Sequence, residues 1–189
     1  MSTIKTTNIT HGSNSGTANM VLASDGSVTF ASAVALFSSY AVICDQKTAD
    51  TDGGTFDSGD WRDRDLNTEI IDHDSIVSIS STDKTFTLGA GTYFIKWFAP
   101  AFRCACHKSR LYDVTGTAVV QEGRTAFADS GSDGDQTDSN GYARVTIGSD
   151  NVYKIQHKCQ SDRATIGFGN ADNMGDAERY TVVEIWKEA

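Results

Sequence analysis

Basic residues are in short supply in this chain: sixteen Lys and Arg stand against twenty-five Asp and Glu, a formal net charge of -9. Such a balance repels phosphate backbones, and the cations never gather into a stripe, so nucleic acid is excluded as a partner. Long apolar runs are missing too. No segment approaches the roughly twenty apolar residues that a bilayer-crossing helix needs, and no membrane insertion is expected. The opening segment, Met1-Ser2-Thr3-Ile4-Lys5-Thr6-Thr7, lacks the apolar core of a secretion signal, which predicts synthesis and folding in a cytoplasm. In that reducing setting Cys44, Cys104, Cys106 and Cys159 are expected as free thiols. Cys104 and Cys106, two apart on one strand, should point the same way without bridging. Gly-x-Ser-x-Gly, His-Glu-x-x-His and phosphate-loop patterns are absent, and no nucleophile stands at a recognisable spacing from a base. The chain is therefore read as no enzyme and as carrying no cofactor. Its crowded carboxylates, Asp50, Asp52, Asp57, Asp60, Asp63 and Asp65, leave a surface-glycan hydrolase as the remote alternative.

What is present is β chemistry. Seventeen Gly, a single Pro and many Ser and Thr accompany β-branched and aromatic residues, the signature of short strands joined by turns. The longest apolar run, residues 91–103, is too short and too β-prone for a membrane or a long helix and reads as a central strand. Alternation puts Tyr93, Ile95, Trp97 and Ala99 on one face and Thr92, Phe94, Lys96 and Phe98 on the other. Both faces are apolar, so both need cover: a sandwich core on one side and a neighbouring subunit on the other.

Further strands are predicted near 39–46, 76–80, 84–88, 107–114, 118–127, 141–148, 152–160 and 179–187. Tight turns at Gly89-Ala90-Gly91, Thr115-Gly116-Thr117 and Ser149-Asp150-Asn151 alternate with long connections at 46–75, 128–140 and 161–178. In an antiparallel jelly roll this alternation gathers the tight turns at one end and the long loops at the other. The fold class is thus all-β, an antiparallel jelly-roll sandwich over residues 36–189. Residues 1–35, rich in Ser, Thr, Asn and Gly, cannot bury a core and read as an extended N-terminal arm, with a hairpin signal at Asp25-Gly26 between Met20-Val21-Leu22 and Val28-Thr29-Phe30.

Gly91-Thr92-Tyr93-Phe94-Ile95-Lys96-Trp97, preceded by Phe86-Thr87-Leu88, resembles the Gly-x-Tyr-x-Phe signature of globular heads in the complement and tumour-necrosis-factor superfamily. Residues 40–47, 61–68, 99–103, 110–113 and 155–159 resemble a domain recurrent in bacteriophage virion proteins, notably tail fibres and marine phage structural proteins, and the segment 18–30 resembles their leaders. The resemblance implies a homotrimeric jelly roll located on the virion, docked to other virion proteins through the arm. It implies a fibre or spike tip that contacts a host surface glycan or protein. The alternative is a capsid decoration, cement or head-fibre protein with no specific receptor. In such a head the strand at 91–103 and the last strand lie side by side against the threefold axis, which sends Phe94, Lys96, Phe98, Tyr180, Val182, Glu184 and Trp186 to the trimer interface. Lys96 and Glu184 should then pair, since an unpaired buried charge is costly.

Trp61, Arg62 and Arg64 are the candidate receptor contacts, a stacking ring with hydrogen-bonding forks at the long-loop end. No metal is expected. The residual candidates are Asp133, Asp135 and Asp138 for calcium, in a loop that misses the EF-hand pattern because Ile147 stands where the bidentate Glu would fall. For zinc they are Cys104, Cys106, His157 and Cys159, which the predicted topology sends to the loop end without an established ligand spacing.

Overall fold

The computed structural model describes residues 8–9, 20–30, 36–132 and 134–189. The chain divides into two compact units, Met1–Leu36 with Ala189, and Phe37–Glu188. In the first, β1 (Asn8–Ile9), β2 (Met20–Leu22) and β3 (Val28–Phe30) form an antiparallel sheet in that order. The hairpin between β2 and β3 forms where the Asp25-Gly26 pair predicted it. Gly26 takes φ +86°, the left-handed region that glycine enters without a side-chain penalty, and the Asp25 carboxylate accepts the Ser27 amide at 2.8 Å.

The second unit is a sandwich of two antiparallel sheets. One holds β12 (Gln136–Ile147), β9 (Gly91–Phe102), β14 (Glu178–Glu188), β4 (Phe37–Lys47) and β6 (Thr68–Asp72), in that spatial order. The other holds β11 (Ala118–Ala128), β10 (Ala105–Asp113), β13 (Asn151–Cys159), β8 (Thr85–Leu88) and β7 (Val77–Ser80), with β5 (Arg62–Asp63) added beside β13. From β8 onward the chain crosses between sheets at nearly every connection, which is the jelly-roll winding. The turns at 89–90, 114–117 and 148–150 share one end and the long loops the other, as the alternation of connection lengths requires. Two short strands, β5 and β6, lie inside the predicted 46–75 loop, and β12 begins at Gln136 rather than 141.

Strand parity builds the core. Tyr93, Ile95, Trp97 and Ala99 are buried, with Ala41, Ile43, Val183 and Ile185 beside them and Phe86, Leu111, Tyr153 and Ile155 facing them from the other sheet. A smaller cluster of Phe56, Ala101, Cys104, Ala128 and Cys159 closes the loop end, with Phe168 against it. Trp97 is the largest fully buried side chain, and its indole N–H donates to Ser109 Oγ at 2.8 Å across the sandwich. The indole has room because its register partner on β12 is Gly141, where a Cβ would lie 2.2 Å from Trp97 Cζ2. Gly141→Ala is expected to destabilise the fold by about 2–3 kcal/mol, the usual cost of overpacking a pinned core. A urea midpoint equal to the parent's would show that Trp97 can move.

Candidate functional site

The outward face of the β12-β9-β14-β4-β6 sheet carries a row of aromatic rings. Parity places Phe94, Lys96 and Phe98 there from β9, and the register aligns Phe94 with Trp186, Lys96 with Glu184 and Phe98 with Val182. Trp186 lies 5.8 Å from Phe94 and 5.2 Å from Tyr40 between ring centroids, and Phe94 stacks on Tyr142 at 6.2 Å. Tyr142 is 68% exposed, the extreme of a face whose other rings are half-buried. Lys96 Nζ is 3.6 Å from the Glu184 carboxylate and 4.6 Å over the Phe98 ring. The predicted charge pair thus forms within one chain.

Tyr180, predicted on the same face, is turned inward. A register shift between Arg179 and Val182 adds a residue to β14 and slips its alternation. The Tyr180 ring lies against Gly169, where a Cβ would come 2.1 Å from its Cδ1, and its hydroxyl donates to the Thr51 carbonyl at 2.7 Å. Val182, Glu184 and Trp186 keep the outward positions.

The same shift opens the place that Arg64 fills. β14 pairs with β9 only as far as Phe98, and past that point the fully buried guanidinium of Arg64 reaches in. It donates to Thr181 Oγ1 at 2.6 Å, the Pro100 carbonyl at 3.1 Å and the Phe168 carbonyl at 2.9 Å, and it lies 4.1 Å over the Phe168 ring. Burial pushes its pKa down to about 10, against the opposing pull of Asp45 and Asp65. Arg64 is therefore no receptor contact; it ties the loop end to β9 and β14.

Beside it lies a buried pair of imidazoles. His107 Nδ1 is 2.9 Å from His157 Nε2, and His107 Nε2 is 2.8 Å from Thr137 Oγ1. Thr137 donates its own proton to the Phe127 carbonyl at 3.0 Å, so it must accept from His107 Nε2–H. His107 Nδ1 must then accept from His157 Nε2–H, which leaves His157 Nδ1 a bare lone pair, buried and without a partner. Burial first, and the Arg64 charge second, push His107 down to about 4; burial and Arg64 hold His157 well below the ordinary range as well. Residue spacing carries no hint of this pair, although both residues fall on inward positions of neighbouring strands.

The zinc candidates are not brought together. Arg103 (φ 52°) and Ala105 (φ 60°) both sit in the left-handed region and break the strand at the corner between β9 and β10. Cys104 consequently turns inward and Cys106 outward, against the expectation that they share a face. Cys159 is buried near Cys104, and its sulfur together with burial holds the Cys104 thiol up in pKa. His157 spends its Nε2 on His107. For the calcium candidates, Asp133 lies outside the described residues, Asp135 accepts the Asp129 amide, and Asp138 stands exposed on β12. The carboxylates that do converge, among the described residues, are Asp50, Asp172 and Glu178, with ligand atoms within 4.8 Å of one another. Each already accepts a loop amide, from Gly175, Met174 and Asp172 respectively.

Trp61 lies on the outer face of the second sheet, and Arg62 alternates to the other side of β5. Trp61 is half-buried, with the Arg110 guanidinium 3.9 Å from its ring centroid, and exposed Arg62 pairs in register with His157 and donates to the Asp57 carbonyl at 3.3 Å. Trp61 borders a cleft of about 430 Å³ shared with Cys106, Lys108, Thr125, Lys158 and Gln160. No helix among the described residues is long and apolar enough to cross a membrane.

No protein-family model matches the chain, and no curated protein matches it. Solved structures do. Murine APRIL at pH 8.0 superposes with a TM-score of 0.48 at 4% identity, over 79% of this chain and 98% of that one. The globular domain of zebrafish complement 1qA gives 0.45 at 12% identity, over 79% and 96%. The PRD1 vertex protein P5 gives 0.43 at 16% identity, over 81% and 99%.

Proposed function

We propose that the chain is a bacteriophage virion structural protein that works as a homotrimer, docked by residues 1–35 to other virion proteins and meeting the host cell surface with its Phe37–Glu188 head. The observation that carries the self-association is the outward aromatic row of Phe94, Trp186, Tyr40 and Tyr142, in which Tyr142 is exposed and the other rings are only half-covered by the described residues. A row of rings at the centre of a sheet is costly to leave in water and gains most when a second copy of the same face covers it. The Lys96–Glu184 pair suits such a contact, because it arrives already neutralised and need not find a partner across the interface. The assignment to a virion rests on the sequence blocks that resemble phage structural proteins.

Light scattering over a dilution series tests the assembly: a mass of three chains is expected. Trp186→Ala should raise the concentration at which the trimer dissociates about tenfold or more, as loss of a central aromatic anchor does. A monomer at all concentrations, or a trimer indifferent to Trp186→Ala and Phe94→Ala alike, would move the interface off this face. Host contact is tested by adsorption of the fluorescently labelled chain to a panel of bacterial cells. Saturable binding to some strains is expected, and its absence from every strain would leave the decoration role.

A further inference from the structure

The outer face of the second sheet differs in charge from the rest of this acidic chain. Parity sends Lys108 and Arg110 outward from β10 and Lys154 and Lys158 outward from β13. Asp63 and Glu122 are the carboxylates that pair on this face, with Lys154 and Lys108. Lys108 and Lys158 are direct register partners, an arrangement of like charges that a sheet ordinarily avoids. Lys108 is neutralised by Glu122, whereas exposed Lys158 has no carboxylate partner among the described residues. Lys158 lines the cleft of about 430 Å³ that Trp61 walls, a volume within the ~300–1,000 Å³ of small-ligand sites. Arg110 backs the Trp61 ring at 3.9 Å and is itself fixed by two hydrogen bonds to Gln156 Oε1, at 2.9 and 2.7 Å. That positive charge offsets the negative face of the indole, so the cleft offers a cation little and an anion with an apolar flank much. Thr125 and Gln160, both neutral residues with hydrogen-bonding side chains, also line the cleft.

We propose that this cleft binds a carboxylate-bearing saccharide, a sugar ring lying along Trp61 with its carboxylate on Lys158. The proposal deepens the host-attachment reading and rests on it for its biological setting, while the binding itself is a property of the isolated chain. An aromatic wall, a single unpaired ammonium and neutral donors are what a uronic acid presents complements to: an apolar ring face, one charge and several hydroxyls.

The test uses the full chain and oligogalacturonate as the probe, followed by calorimetry, with the methyl-esterified oligosaccharide and inorganic phosphate as parallel arms. Saturable binding of oligogalacturonate is expected, weakened about tenfold or more by Lys158→Ala, by Trp61→Ala and by esterification. Lys158 is exposed, so its replacement leaves the fold intact even if Trp61→Ala does not. No binding of oligogalacturonate, equal binding of the methyl ester, or indifference to Lys158→Ala overturns the proposal, and phosphate competing as well as the uronate overturns its saccharide part. Cell adsorption separates the two readings. Strains bound equally by parent and Lys158→Ala would retain attachment and reject the cleft; uronate binding without adsorption to any strain would retain the cleft and reject attachment.

Discussion

Between pH 6.5 and about 4 the head is expected to lose on the order of 3 kcal/mol of folding stability through His107 alone. The sign follows from which state takes the proton first. In the unfolded chain His107 titrates near its ordinary 6.5, whereas in the fold burial and Arg64 hold it down to about 4. Its contribution is therefore complete above pH 6.5, declines as the pH falls through the window and is gone below about 4. His157 is depressed further, for the same two reasons, and acts in the same direction. The structural reason is the one-way hydrogen-bond relay: a second proton on His107 sets an N–H against the His157 N–H at 2.9 Å, and one on His157 goes to a buried Nδ1 with no acceptor, both beside a buried guanidinium. Asp45 works in the opposite sense, since burial raises its carboxyl and favours the fold at low pH, so the parent curve alone does not isolate the imidazoles. Urea midpoints at pH 7.5 and 4.5 for the parent, His107→Gln and His157→Gln do. The parent should fall steeply and both variants less so. Equal slopes in all three would show that the imidazole pair is not held neutral by the fold.

The strands were legible because two-residue periodicity is a local property. Tyr93, Ile95 and Trp97 alternate with Phe94, Lys96 and Phe98 in any sheet, and a jelly roll follows from which turns are short. Departures from parity were not legible. Alternation alone points Tyr180 outward, because nothing in Arg179-Tyr180-Thr181-Val182 announces a bulge, and it puts Cys104 and Cys106 on one side, because left-handed φ at Arg103 and Ala105 carries no glycine to signal it. Arg64 reads from sequence as a surface fork, since Arg is among the most exposed residue types. Its burial depends on carbonyls from Pro100 and Phe168, 36 and 104 residues away. The single proline, Pro100, lies just past the point where β9 leaves β14 and offers its carbonyl. The Trp61 cleft likewise needs β5 laid beside β13, a pairing of two residues that no pattern of alternation predicts.

Arg64→Met is expected to cost about 3 kcal/mol, and Arg64→Lys nearly as much. Two terms compete. Removing the guanidinium relieves a charge taken fully out of water, which by itself would favour the variant. Against that, three acceptors lose their donor at once, Thr181 Oγ1, Pro100 O and Phe168 O, each at about 1–3 kcal/mol when left dry. The contact with the Phe168 ring goes too, and with it the anchor of the 161–177 loop. Three unsatisfied acceptors outweigh one relieved charge, so the net is a loss. Lysine keeps the charge but is a point donor on a flexible stem, unable to span three acceptors set around a planar fork. A separate readout identifies the mechanism. Because the Arg64 charge helps to depress His107 and His157, Arg64→Met should shift the acid-induced loss of stability to a narrower window nearer pH 6.5, whereas Arg64→Lys should leave it in place. Thermal melts at neutral pH measure the first effect and urea midpoints against pH the second. An Arg64→Met protein as stable as its parent would mean that desolvation of the guanidinium cancels all three hydrogen bonds, and that the loop end is held by the Phe56–Phe168 cluster instead.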